Sequence, residues 1–175
     1  GLISNKLLDG LVQFAKNKKI NLYGDSQSSS QIGDISRMKN FTLICPNEKE
    51  ARISLQAKDI GLDELCRNLI SKTKSQNLIM KLGADGFVVY EKEENDDFKI
   101  QAFPALSVNP LDVSGAGDTL LSIMATGLSS NSSVMTVAAL ACCGASISVN
   151  KMGNYPVDID SVLDEAIKIL RSHQE

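Results

Sequence analysis

A chain of 175 residues with 43% hydrophobic and 22% charged residues is long enough to bury a sizeable core and short enough for one domain over residues 1–175. A net charge of −3 with no basic stripe argues against nucleic acid as a partner, and no apolar run approaches a membrane span. The four cysteines (Cys45, Cys66, Cys142, Cys143) lack C-x-x-C spacing, which suits small buried residues in a reducing cytoplasm better than metal ligands or disulfides.

In chain order, Leu7, Leu8, Leu11, Val12 and Ala15 recur at helical spacing and predict a helix over 4–18, with Ser4 or Asn5 as its cap. "INLYGD" (20–25) reads as a strand entering a polar loop, and "FTLIC" (41–45) as a buried strand stopped by Pro46. Asn47 then caps a helix beginning "EKEAR", and another helix covers about 62–74. "NLIMKL" follows as a strand, Gly83 and Gly86 turn the chain into "FVVYEK", and the charged tip "EENDD" leads to "FKIQAF" as an antiparallel addition. Three helices close the chain, over 117–128, 133–149 and 160–171; the stripe Leu163, Ala166, Ile167 and Leu170 on the last reads as a core face. Alternating strands and helices predict an α/β fold with a mostly parallel sheet flanked by helices. Ligands in such sheets bind beyond the carboxyl ends of the strands, which points to Asp25 and its loop, to 47–50 and to 81–86.

The stretch "NPLDVSGAGDTLLS" (109–122) places Gly115, Ala116 and Gly117 before an aspartate and an apolar run. Glycines let backbone approach a ligand closely, and successive amides opening a helix favour an anion. Asp118 falls in the first turn beside that volume, where a helix cap and a general base are equally good readings of its spacing. Neither a dinucleotide fingerprint nor a Walker A loop is present.

"DVSGAGDT" (112–119) resembles the D-T-x-G-A-G-D signature of the ribokinase, or PfkB, carbohydrate kinases. "PNEKEA" (46–51) resembles the family's N-x-x-E element and "KLGADG" (81–86) its T-x-G-x-x-G nucleotide loop, in the family's order. "VNKMGNYPV" and "PNEKEAR" look most like the heptose-phosphate kinase branch. The resemblance implies ATP and Mg²⁺ as cofactors and a sugar or sugar-phosphate hydroxyl as acceptor. It makes Asp118 the catalytic base and Gly115, Ala116 and Gly117 the anion hole for the transferred phosphoryl group. Asn47 and Glu50 would hold Mg²⁺ and phosphate through water, against the plainer reading of a cap with an exposed carboxylate. Lys81, Gly83 and Gly86 would pass the nucleotide, against the plainer readings of a solvated strand end and a hairpin turn.

Four positions depart from the family pattern. Lys81 replaces a threonine, Cys142 an asparagine near the adenine pocket, Gln27 a lysine of the heptose kinases, and Ile123 a smaller residue. The chain starts at Gly1, and the family it resembles implies that a sugar-holding part and β lid are missing, so the sheet is expected to be incomplete at the amino-terminal side. That implies a homo-oligomer or association with the missing amino-terminal portion, and an isolated chain without activity. Its single histidine, His173, belongs to a charged tail and rules out the H-x-G-H motif of a heptose adenylyltransferase. The rival reading is a degenerate kinase fold that binds nucleotide or scaffolds a partner without catalysis.

Overall fold

The computed structural model describes residues 3–26, 33–95, 97–107 and 109–172; Gln27 and His173 lie outside them. Among the described residues are α1 (Asn5–Lys18), β1 (Tyr23–Gly24), β2 (Leu43–Ile44), α2 (Glu48–Leu55), α3 (Leu62–Thr73), β3 (Asn77–Lys81), β4 (Phe87–Lys92), β5 (Phe98–Phe103), α4 (Ala116–Ser129), α5 (Val134–Val149) and α6 (Ile159–Ser172). Short 3-10 turns lie at Ile35–Arg37 and Gly83–Asp85. Local signals set the helix starts: Ser4 accepts the Leu7 N–H at 3.2 Å, and Ser133 accepts the Thr136 N–H at 3.2 Å.

The strands form one sheet in the order β1-β2-β3-β4-β5. β1, β2 and β3 are parallel, with Tyr23 opposite Leu43 and Leu43 opposite Asn77. The connections to β4 and β5 are too short for a parallel crossover, so both add antiparallel to their predecessors; the Lys92 N–H at the end of β4 donates to Gln76 O just before β3, and the Glu93 N–H donates to Asp97 O across the β4–β5 turn. The result is a mixed, mostly parallel sheet. β1 and β2 are shorter than the extended stretches 20–25 and 41–45, but pairing continues past them, with Cys45 N–H donating to Gly24 O and Lys81 N–H to Pro46 O, each at 2.9 Å. Leu78, Ile79 and Met80 are all fully buried, so both faces of β3 are covered, which is why it reads as an unbroken apolar run.

The chain divides into two compact units, Gly1–Leu82 with Val88–Ile100, and Gly83–Phe87 with Gln101–Glu175. The first packs Ile35, Ile44, Leu65, Leu69, Leu78 and Met80 into its core, with Leu8 and Val12 of α1 laid against them. In the second, α4 and α5 approach closely at two glycines. A Cβ on Gly127 would lie 2.5 Å from Val137 Cγ2, and one on Gly144 would lie 2.2 Å from Ile123 Cδ1. The bulk of Ile123, unusual for the family pattern, is thus matched by the missing side chain at Gly144. All four cysteines are free and buried. Burial raises the Cys142 thiol to about 11, and its Sγ donates to Pro104 O at 3.2 Å, so it behaves as a small core residue.

One expectation fails. The α6 stripe is not a core face: Leu163, Ile167 and Leu170 are 44, 45 and 67% exposed, and α6 buries Val162 instead. Leu7 and Leu11 of α1 likewise point outward, at 53 and 43% exposure. Helical periodicity locates a stripe; what covers it depends on segments far away in sequence or outside the chain.

Candidate active site

The second unit builds the glycine turn and the start of α4. Gly115 is the N-cap, at φ 80° and ψ −6°, a left-handed conformation that favours glycine. Having no side chain, it leaves the helix start open, and α4 has no side-chain cap. The Ala116 N–H reaches Val113 O only at 3.4 Å, while the N–H groups of Gly117 and Asp118 have no protein acceptor among the described residues. Asp118 is the third helical residue and is exposed. Its carboxylate has no hydrogen bond or ion pair among the described residues, so of its two readings the cap is not realised.

Residues that the sequence reading left unassigned hold this turn. Asp112 accepts the Ser114 N–H at Oδ1 and the Gly153 N–H at Oδ2, each at 2.9 Å. The first of these is the aspartate i to i+2 turn bond, a local signal that sequence spacing carries. The second ties "VNKMGNYPV" to the turn, and the N–H groups of Leu111 and Asp112 both donate to Val149 O. Asn154 closes over Gly115, where a Cβ would lie 2.3 Å from its Oδ1.

These bonds give acid sensitivity a direction. The Ser114 amide first, and then Gly153, hold the Asp112 carboxyl below the ordinary value of 3.8, and the Ser161 amide holds Asp158 low in the same way. A carboxyl depressed on folding contributes stability above its unfolded pKa and loses it as pH falls through the folded value. Melting temperature is therefore expected to hold steady down to about pH 4 and to fall below it as far as these groups control it. Asp112→Asn should flatten that acid limb; an unchanged limb in this variant would contradict the brace.

The first unit presents a separate group at the carboxyl ends of β1, β2 and β3. Asn47 and Glu50 form a reciprocal capping box: Asn47 Oδ1 accepts the Glu50 N–H at 2.8 Å, and Glu50 Oε2 accepts the Asn47 N–H at 2.9 Å. Glu50 is 3% exposed, so the plainer reading was right about the cap and wrong about an exposed carboxylate. With one oxygen of each side chain already engaged, the pair does not suit direct bidentate ligation. It does fit a hydrated magnesium ion reached through water from Glu50 Oε1, in keeping with how reluctantly that ion dehydrates. No cluster of three or more metal-ligating side chains occurs among the described residues. Lys81 is not a solvated strand end. It is paired to strand β2 through Pro46 and Asn47, and its ammonium donates to the Asp25 carboxylate, the two side chains being 20 and 18% exposed.

Gly83 and Gly86, at φ 63° and 85°, bound the 3-10 turn after β3, closed by the Gly86 N–H to Gly83 O at 3.1 Å. Open space surrounds Gly83, whereas a Cβ on Gly86 would lie 2.1 Å from Phe103 O.

The profile of the pfkB family carbohydrate kinases matches residues 3–160. The chain belongs to that family. It is similar to the bifunctional protein HldE of Desulfatibacillum aliphaticivorans, 32% identical over 161 residues that cover 90% of this chain and 31% of that protein. The curated relatives it matches are longer, and the chain spans 31 to 34% of their length. Phosphofructokinase-2 from Escherichia coli, solved in complex with substrates and products, has a TM-score of 0.79 at 18% identity, over 97% of this chain and 54% of that one. Arabidopsis thaliana ribokinase complexed with ribose and ATP has a TM-score of 0.77 at 19% identity, over 94% and 53%. At these identities the likeness is one of fold, and it agrees with the ribokinase-like architecture expected for a pfkB chain.

Proposed function

We propose that this pfkB chain supplies the nucleotide-binding and catalytic-base portion of an ATP-dependent kinase acting on a sugar or sugar-phosphate hydroxyl. The observation that carries the reading is Asp118, an exposed carboxylate without a partner among the described residues, at a helix start that a glycine leaves open. In the proposed reaction Asp118 accepts the proton of the acceptor hydroxyl as its oxygen bonds to the γ-phosphorus and the bond to ADP breaks. The amides of Gly115, Ala116 and Gly117 receive charge on the transferred group. Lys81, Gly83 and Gly86 are assigned to the nucleotide, and Asn47 and Glu50 to phosphate and hydrated magnesium, which when bound neutralises polyphosphate charge. Similarity to HldE, with "VNKMGNYPV" and "PNEKEAR", supports a heptose phosphate as acceptor.

No helix among the described residues is long and apolar enough to cross a membrane, and a cytoplasmic location suits the reading. The exposed stripes of α1 and α6 are surfaces for a second copy or for the sugar-holding part of the kinase. Without that part the 175-residue chain is expected to bind nucleotide but turn it over negligibly, because nothing positions the acceptor. Isothermal titration with Mg·ADP tests the site: Gly117→Asp, which puts a carboxylate beside the open amides, should abolish binding. Unchanged affinity would sink the assignment.

A further inference from the structure

We propose that Asp25 and Lys81 form a latch for the nucleotide's phosphates, in which the Asp25 carboxylate occupies the Lys81 ammonium and competes for it until a phosphate displaces it. The inference rests on the nucleotide reading above and adds a residue and a mode of operation to it.

The pair stands where parallel α/β sheets take their ligands. Asp25 directly follows β1 and Lys81 ends β3. Since β2 lies between those strands, the lysine reaches sideways across it, roughly two strand spacings or about 10 Å, instead of running out into water. Its base cannot drift, because the Lys81 N–H donates to Pro46 O at 2.9 Å. Cys45, fully buried in β2's continuation, registers both charges: burial pushes its thiol up, Asp25 adds to the rise and Lys81 opposes it.

Three features distinguish this pair from a static tie. An ammonium has three donors, and Lys81 uses one on Asp25; the other two have no acceptor among the described residues. The side chains are 20 and 18% exposed, desolvated enough to interact strongly yet open to an incoming anion. Asp25 also accepts the Ser26 N–H at 2.8 Å, so its carboxylate stays placed when the lysine turns away. Beside it the Ser26 hydroxyl is buried with no partner among the described residues, a donor that a phosphate oxygen would satisfy. A polyphosphate carries more charge than one carboxylate and outcompetes it for the lysine; an uncharged nucleoside cannot. The latch therefore favours di- and triphosphates over the nucleoside.

Titration of the 175-residue chain with ADP, ATP and adenosine, with melting curves of each ligand-free variant, tests this. Lys81→Met should weaken ADP and ATP roughly 10- to 100-fold, the worth of a charged hydrogen bond, and leave adenosine unchanged. Asp25→Asn should tighten ADP and ATP several-fold by removing the competitor. The double variant should match Lys81→Met, since no lysine remains to be released. If Lys81→Met does not fold, Lys81→Gln carries the same test. ADP affinity that is unchanged in the Lys81 variants, or that drops in Asp25→Asn alongside its melting temperature, overturns the latch while leaving the site in place. Wild-type chain that binds no nucleotide overturns the reading beneath it.

Discussion

Asp118→Asn is expected to lower sugar phosphorylation by roughly 10²–10⁴-fold, the usual worth of a positioned general base, while nucleotide affinity and melting temperature stay as they are. The substitution is nearly isosteric, and the exposed Asp118 carboxylate has no bond among the described residues to lose, so its only consequence should be the loss of a proton acceptor. The assay needs a protein that also carries the sugar-holding part of the kinase, with ADP release followed over sugars and sugar phosphates. Surviving turnover would leave Asp118 as a first-turn carboxylate that merely complements the helix dipole. A protein that binds nucleotide and phosphorylates none of these acceptors, even unaltered, would favour the non-catalytic binding module.

Gly86→Ala is expected to be the most damaging small substitution in the second unit, lowering the melting temperature by roughly 5–15 °C. The methyl group would meet Phe103 O at 2.1 Å and Ala105 N at 2.7 Å, both backbone atoms that cannot swing aside as a side chain end would. Residue 86 is also held at φ 85°, which costs an L-residue about 1–2 kcal/mol, and overpacking adds about 1–3 kcal/mol. Gly83→Ala provides the control. Its φ of 63° carries the same kind of strain, but nothing lies within 4 Å of the added methyl, so only the smaller cost applies. Melting curves that rank the two variants the other way round would refute the packing of this turn against residues 103–105.

The sequence-based reading of Asp118 also shows where local information stops. Spacing placed it in the first turn of a helix and left cap and base open; the positive φ of Gly115, which makes glycine the cap, settles only which role the backbone leaves unused. Glu50 is the converse case. Its i+3 spacing from Asn47 suits the capping box that the structure shows, but its 3% exposure depends on packing that no local window contains.

What the sequence alone determined is local or periodic. Asn47 as a cap, a cap at Ser4 or Asn5, the helix and strand types in order, the stop at Pro46 and the glycine turn before Asp118 all follow from groups within a few residues of one another. What only the tertiary structure decided joins distant residues. Lys81 finds Asp25 across 56 positions and Asp112 finds Gly153 across 41, and both bonds exist because strand order and helix return bring chain segments side by side. The α6 stripe went astray for the same reason. Periodicity fixes which side chains share a face, but burial needs a second surface, and the sequence of one helix does not say whether that surface is there.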